Sequence, residues 1–120
     1  MAPGSRVILV STGIAHASAV APNYLLYGAT KGAIEQMTRI MSKELGAKGI
    51  TVNAIGPGPT ATDLFFKGKS EQVINMIKSQ SPFNELGKPE DIAAAVAFIA
   101  SDDSRWISGQ TILANGAAFV

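Results

Sequence analysis

Tyr27 and Lys31, two residues whose side chains can exchange a proton, stand four positions apart. On an α-helix this spacing places both side chains on one face, one turn apart. A free phenol has a pKa of about 10, too high for proton exchange near neutral pH, and a neighbouring ammonium group lowers it. The pair therefore predicts a tyrosine that acts as a general acid or base. The same spacing also occurs in ordinary helix pairs, and Tyr24 has no such partner because Gly28 follows it by four.

Hydroxyl groups that could hold a substrate carbonyl follow the apolar run 7–10, at Ser11 and Thr12. A strand that leads into Thr-Gly could also be the phosphate-binding turn of a dinucleotide fold, which requires several glycines at fixed steps. Only Gly13 is present here, and the side chains beyond it would crowd a phosphate. The segment is therefore predicted to be a wall of an active site. His16 is interpreted as a loop residue and not as a catalytic base.

The elements that position these groups begin with a short strand at 6–11, apolar without alternation and so expected to be buried. A loop of small residues at 12–23 follows, and Asn23 is predicted to cap a helix that ends near Gly46 or Gly49. One face of this helix carries Tyr27, Lys31, Ile34, Thr38, Met41 and Leu45, and a second apolar strip carries Ala29, Ala33, Met37 and Ile40. So wide an apolar arc predicts burial on two sides.

The rest of the chain continues the alternation of strands and helices. A second buried strand is predicted at 50–59, two short helical patterns with an irregular end at 60–86, and a last strand at 109–116. Pro89 is expected to begin a helix that reaches about Ser101 and is apolar enough to be buried. This order predicts a parallel α/β sheet. Ligands of such sheets lie at the carboxyl ends of the strands, here Ser11 to Gly13 and Gly56 to Thr62.

Composition limits the function classes. The 120 residues suffice for one domain, and 47% hydrophobic with 16% charged residues favours a packed globular chain. A net charge of +1 with scattered Lys and Arg predicts no nucleic-acid partner. No cysteine and one histidine predict no metal site. The longest apolar run, residues 92–100, is too short for a bilayer, so we expect a cytoplasmic protein with no membrane partner.

In these motifs the chain resembles the short-chain dehydrogenase/reductase family. The resemblance is carried by RVILVST, YGATKGAIEQMTR, ITVNAIGPGPTATDL, GKPEDIAAAVAFIAS and WISGQTILANG, in this order. It implies that residues 1–120 form a single partial domain, the C-terminal half of a Rossmann-like doubly wound parallel sheet with three strands and flanking helices. The family's N-terminal dinucleotide-binding half, with its glycine-rich turn, has no counterpart here. The first strand would then lie at an exposed sheet edge.

The resemblance also implies roles for individual residues. Tyr27 would donate a proton to the substrate carbonyl during hydride transfer and would also be one of the cofactor-binding residues. Lys31 would lower the tyrosine pKa and bind the nicotinamide ribose. The segment against the nicotinamide and its phosphates would hold Pro57, Gly58, Thr60 and Thr62. The cofactor is expected to be NADP or NAD, since the residues that choose between them lie in the missing half.

The family's catalytic serine is the point where this chain departs from the pattern. The best-spaced position holds Gly13. Thr12, or else Ser11, could supply the hydroxyl, and Thr12 is preferred. The alternative is that neither side chain reaches the substrate, because catalytic geometry tolerates only small displacements.

Other residues are placed by the resemblance or by their type. Aromatic residues Phe65, Phe66 and Phe83 fall where the family covers its substrate and could line an apolar pocket or simply belong to the core. Trp106 is expected to pack near the last strand. Asn115 and Ala117 stand where the family usually has Asp and a second Gly, which affects the terminal turn.

Three hypotheses follow from these observations. The first is an NAD(P)-dependent oxidoreductase that acts on a carbonyl or secondary alcohol with apolar parts, in an incomplete chain that would be a homo-oligomer at full length. The second is a non-catalytic interaction module that dimerises through the helix at 24–46. The third is a fragment that is not stable by itself.

Overall fold

A single sheet of three parallel strands organises the structure. The computed structural model describes residues 1–120, with β1 at Arg6–Val10, β2 at Thr51–Pro57 and β3 at Thr111–Ala114. The strand order is β1-β2-β3, and both pairings are parallel. All three carboxyl ends therefore meet at one edge, where the candidate residues were expected. The predicted α/β class with three parallel strands and flanking helices is confirmed.

The central strand β2 holds the core, because both of its edges are hydrogen-bonded and helices contact it. Val52, Ala54 and Ile55 are almost completely buried. β1 pairs on one side only, so its residues are half-buried and Val10 is exposed. The predicted burial of the first strand is wrong for this reason, whereas its position at a sheet edge is confirmed.

A buried amide on β2 brings the last strand into register. Asn53 is completely buried; its Nδ2 donates to the Ile107 carbonyl at 2.8 Å, and its Oδ1 accepts from the Gln110 amide at 3.1 Å. Both polar ends of the side chain are thus paired, as a buried amide requires. The segment before β3 is in this way attached to the middle of the sheet.

Helix α1 extends over Leu25–Gly46. The prediction that Asn23 caps it is wrong: a 3₁₀ turn at Pro22–Tyr24 precedes the helix, and Asn23 lies inside that turn. The fixed φ of Pro22 suits the first position of a helical turn, so the turn starts before Asn23 can act as a cap. No side chain caps α1 itself.

Only one side of α1 is covered in this chain. Glu35 and Thr38 are buried on the face that packs against β2. The second apolar strip is exposed, with Met37 at 51% and Ile40 at 58%. Burial on two sides, as the sequence predicted, is therefore not found within residues 1–120.

Three shorter helices follow β2: α2 at Asp63–Phe66, α3 at Glu71–Lys78 and α4 at Pro89–Ala100. The hydroxyls of Thr62 and Ser70 cap α2 and α3, accepting from the Phe65 and Val73 amides. α4 starts at Pro89 as predicted, with Asp91 accepting from the Lys88 amide. No helix combines the length and the apolar character that crossing a membrane requires.

The predicted burial of α4 is wrong for most of its surface. Ile92, Ala95, Val96 and Ile99 form its half-buried or buried stripe, a helical spacing of three and four that faces the sheet. The other apolar residues, among them Phe98 at 46%, are exposed. The sheet covers only this stripe of α4, and no other part of the chain packs over the opposite side of the helix.

Candidate active site

The predicted pair Tyr27 and Lys31 comes together at the carboxyl end of β1. The two residues occupy successive turns at the start of α1, and Lys31 Nζ lies 5.8 Å from the centroid of the Tyr27 ring. Lys31 Nζ also donates to the Val10 carbonyl at 2.8 Å, which holds the ammonium at the end of the strand. The Tyr27 side chain is open to solvent, with 43% of the residue exposed. A substrate can therefore reach the phenol from outside.

The hydroxyl of Ser11 is engaged elsewhere. Ser11 is 2% exposed, and its Oγ donates to Glu35 Oε1 at 2.7 Å, with the Lys31 carbonyl oxygen at 3.4 Å. Both acceptors belong to the inner face of α1. The structure therefore does not bring Ser11 together with the exposed Tyr27 phenol.

Glu35 is a residue that the sequence interpretation missed. Its Oε1 accepts from Ser11 and lies 2.9 Å from His16 Nε2, so one carboxylate on α1 contacts two residues of the loop that follows β1. A signal was available: Glu35 follows Lys31 by four residues and stands among the apolar residues of the packed face. A carboxylate in that position requires partners. His16 lies in the loop, as predicted, but is also a partner of this carboxylate.

Thr12 lies closer to an open space than Ser11. Its Oγ1 accepts from the Ile14 amide at 3.4 Å and caps a short 3₁₀ turn at Gly13–His16. This bond uses the oxygen as an acceptor and leaves the hydroxyl proton for another partner. Thr12 also lines a cavity of about 410 Å³ at the carboxyl ends of the strands. The preference for Thr12 over Ser11 stays a prediction that this placement favours.

The turn after β2, at residues 58–61, is held by hydrogen bonds within itself and to Gly87. Thr60 Oγ1 donates to the Gly58 carbonyl at 2.9 Å, and the backbone of Pro59 and Ala61 pairs with Gly87. A Cβ at Gly58 would lie 2.6 Å from the Cβ and 2.7 Å from the Cα of Asn115, so only glycine fits there. Thr62 is exposed, and its hydroxyl caps α2.

The predicted aromatic residues are not all brought together. Phe65 lines the cavity of about 410 Å³ with Thr12, Pro57 and Gly58. Phe66 packs edge-on against Phe65, with ring centroids 5.4 Å apart, and is not part of that lining. Phe83 is 70% exposed and lines a different cavity of about 330 Å³. Trp106 is 89% exposed and lies near the opposite end of the sheet, beside Arg6 and Thr51.

Two further residues of the cavity were not predicted. Tyr24, which served in the sequence only as a comparison for Tyr27, lines it, and the two tyrosine rings lie 6.3 Å apart. Phe119 reaches it from the last residues of the chain. No local pattern marks Phe119, because its position depends on the packing of β3 beside β2.

The exposed donors of the site suit a nicotinamide nucleotide. The Tyr27 hydroxyl, the Lys31 ammonium and the Thr62 hydroxyl are all groups that can donate hydrogen bonds, and ribose and phosphate oxygens accept them. Thr60 is less available, because its hydroxyl already donates to Gly58. The residues present therefore fit the nicotinamide half of such a cofactor.

Comparison with known proteins agrees with these features. The family profile described as Enoyl-(Acyl carrier protein) reductase matches residues 1–117. An "NADPH-dependent aldehyde reductase 2, chloroplastic" of Arabidopsis thaliana is 45% identical over 113 residues, which cover 94% of this chain and 41% of that protein.

Solved structures of reductases superpose on the whole chain or nearly all of it. The promiscuous reductase LugOII, described as catalysing keto-reduction at C1 in lugdunomycin biosynthesis, superposes with a TM-score of 0.88 at 37% identity, over 100% of this chain and 46% of its own. The angucycline C-6 ketoreductase LanV with bound NADP superposes with a TM-score of 0.86 at 40% identity, over 97% and 44%. The chain thus spans about half the length of the relatives it matches. Fold, motifs and relatives agree, and the chain belongs to the short-chain dehydrogenase/reductase family.

Proposed function

We propose that the protein to which this chain belongs reduces a carbonyl group with NADPH, with Tyr27 as the proton donor. The observation that carries the proposal is the Tyr27–Lys31 pair, an exposed phenol with an ammonium 5.8 Å from its ring at the carboxyl end of β1. Ligands of parallel sheets bind at this edge. Support for NADP comes from the NADPH-dependent Arabidopsis relative and the NADP-bound LanV structure.

Each residue of the pair has a separate task. The Tyr27 hydroxyl donates its proton to the substrate oxygen as the carbonyl becomes an alcohol. Lys31 Nζ offsets the negative charge that this leaves on the phenol oxygen. The bond from Nζ to the Val10 carbonyl fixes the ammonium beforehand, so that little reorganisation is needed during the reaction.

The cofactor would be held by Lys31 through its ribose and by the turn Pro57–Thr62 through its nicotinamide and phosphates. When bound, it supplies the hydride that adds to the carbonyl carbon. Thr12 holds the carbonyl oxygen through its free hydroxyl proton, in the place of the serine that the family has.

The cavity is lined by Tyr24 and not by Tyr27 or Lys31, but the Tyr24 and Tyr27 rings lie only 6.3 Å apart. It suits the apolar body of a carbonyl compound whose oxygen reaches Tyr27. Aromatic and apolar side chains line most of it, and about 410 Å³ lies within the usual size of a ligand site. Two relatives of known structure are described as ketone reductases, LugOII for keto-reduction at C1 during lugdunomycin biosynthesis and LanV as an angucycline C-6 ketoreductase.

The test is the oxidation of NADPH by the natural gene product with an aromatic ketone or aldehyde, compared with its Tyr27→Phe variant. Removal of a general acid lowers kcat by roughly 10²–10⁴-fold. The affinity for NADPH, measured by fluorescence titration, should fall much less than kcat, because Lys31 and Thr62 still donate hydrogen bonds to the cofactor. Lys43→Ala, on an exposed position of the same helix, serves as the control. Unchanged kcat in Tyr27→Phe would disprove the proposal.

A second candidate is association through α1, supported by the exposed surface. The exposed surface of α1 includes large apolar side chains, with Met37 at 51% and Ile40 at 58%. Part of it is the strip Ala29, Ala33, Met37 and Ile40, which is continuous along α1 and carries no charge. We propose that a second copy of the protein covers this strip in a homo-oligomer.

Sedimentation of the wild-type protein and of Ala33→Glu tests the association. A charge in the centre of an apolar interface is expected to shift the population to monomer. Lys43→Glu, which changes an exposed charge outside the strip, is the control. An assembly that survives Ala33→Glu, or a wild-type protein that is monomeric at micromolar concentration, would exclude this interface.

A further inference from the structure

The ring of Phe119 lies directly on Gly13. A Cβ built at Gly13 would stand 3.0 Å from Cδ2 and 3.6 Å from Cε2 of Phe119, with the Pro57 carbonyl oxygen at 3.5 Å. A side chain at position 13 would therefore press on the aromatic ring and force it to shift by a few tenths of an ångström. Glycine is favoured here by space and not by backbone conformation.

Asn115 holds the segment that carries this ring. Its Nδ2 donates to the Phe119 carbonyl at 2.8 Å, and its Oδ1 accepts from the Ala117 amide at 3.0 Å. Ala117 adopts a left-handed φ of 59°, which is unfavourable for alanine. The turn is thus kept by the Asn115 side chain, and the two departures from the family pattern at these positions act together to place Phe119.

The same ring is a wall of the candidate substrate cavity. Phe119 lines it together with Tyr24, Phe65 and Thr12. Phe65 is further fixed by Lys69, whose Nζ lies 4.7 Å from its ring centroid and donates to its carbonyl. Three aromatic side chains around one space favour a flat aromatic body, which can stack on or meet the edges of the rings.

We propose that Phe119 is a specificity-determining residue, which selects flat aromatic ketones, and that Gly13 provides the space for its ring. The inference rests on the proposed carbonyl reduction and adds the substrate class and the residue pair that selects it. Phe119 contacts the body of the substrate inside the cavity. Tyr27 lies outside the lining, with its ring 6.3 Å from that of Tyr24, and serves the carbonyl oxygen from there.

The experiment compares two ketones of one skeleton, the flat 1-tetralone and its saturated counterpart 1-decalone. The kcat/KM of NADPH-dependent reduction is measured for both with the natural gene product and with Phe119→Ala, Gly13→Ser and the double variant. The ratio of the two values is the readout, because a new hydroxyl at position 13 would act on either carbonyl alike. Dissociation constants of 1-tetralone, from calorimetry, give a readout that needs no turnover.

The expected result is a wild-type preference for 1-tetralone that falls about three- to tenfold in Phe119→Ala, the value of one aromatic contact. Gly13→Ser should lower the ratio similarly, because its Cβ displaces the ring. The double variant should show no further loss, since both changes remove the same contact. Val120→Ala, an exposed neighbour of Phe119, should keep the wild-type ratio.

Each other outcome is decisive. The proposal is overturned if the ratio of the two kcat/KM values in Phe119→Ala stays within about twofold of the wild-type ratio, or if the losses of the single variants add in the double variant. A wild-type protein that neither binds nor prefers 1-tetralone would also overturn it. If Phe119→Ala does not fold, Phe119→Leu removes the flat ring while retaining most of its volume. If the dissociation constants of 1-tetralone change among the variants as expected but no turnover is measured, the cavity assignment is supported and the reductase function is refuted instead.

Discussion

Ser11 Oγ donates a hydrogen bond of 2.7 Å to Glu35 Oε1 in a place that solvent scarcely reaches, with 2% and 6% of the two residues exposed. His16 Nε2 lies 2.9 Å from the same carboxylate oxygen. One carboxylate on α1 thereby holds both ends of the segment from Ser11 to His16, which contains Thr12 and Gly13. The position of the cavity wall relative to Tyr27 depends on this contact.

Replacement of Glu35 by alanine is expected to lower the free energy of unfolding by about 1–3 kcal/mol, because the buried Ser11 hydroxyl loses its short acceptor bond. Urea unfolding measures the loss. Glu44→Ala, an exposed glutamate of the same helix, should change stability by less than about 0.5 kcal/mol. Equal effects of the two substitutions would show that the Glu35 bonds contribute nothing.

Lys31→Met should separate catalysis from stability. The variant keeps most of the side-chain volume but removes the ammonium beside Tyr27 and its bond to the Val10 carbonyl. That bond is exposed, so the free energy of unfolding should fall by no more than about 1 kcal/mol. We expect the affinity for NADPH and kcat each to fall by about tenfold or more, because the ammonium binds the cofactor and offsets the charge on Tyr27. Activity that falls only in proportion to the folded fraction would contradict this role.

Asn53→Leu tests the amide that holds β3 to the sheet. Leucine has a similar size but leaves the Ile107 carbonyl and the Gln110 amide without side-chain partners in a partly buried place, which costs at most about 1–3 kcal/mol for each unpaired group. Chemical denaturation should therefore show a large loss of stability. Asn75→Leu, on the exposed side of α3, is the matched control. A loss no greater than that of the control would argue against the paired amide.

Two glycine-to-alanine changes should have opposite signs. In Gly58→Ala the new methyl group would meet Asn115 at 2.6 Å, so the turn must move, at a cost of about 1–3 kcal/mol. In Gly32→Ala the methyl group meets nothing within 4 Å inside α1, and the better helix propensity should add up to about 1 kcal/mol. Thermal unfolding of both variants measures the difference. Destabilisation by Gly32→Ala would contradict the open surrounding of that residue.

Local sequence patterns were sufficient to predict most of the strands and helices and the proximity of one pair of side chains. The strands at Thr51–Pro57 and Thr111–Ala114, the helix that starts at Pro89 and the shared face of Tyr27 and Lys31 were all predictable. Each of these depends on hydrophobic runs, proline and glycine positions or helical spacing within a few residues. The start of α1 was missed because Pro22 began a 3₁₀ turn, a choice that a cap residue alone does not reveal.

The amino-acid sequence by itself determined that this is a parallel α/β chain with Tyr27 and Lys31 side by side at the carboxyl edge of its sheet. Only the tertiary structure decided that Ser11 faces Glu35 while Thr12 lines the cavity, because adjacent residues after a strand point in different directions that depend on packing. It also decided that Phe119 lies on Gly13. Those two residues come from opposite ends of the chain. They meet because the parallel strands β1 and β3 end at the same edge of the sheet, where the segment after β3 passes the end of β2 at Pro57 and Gly58.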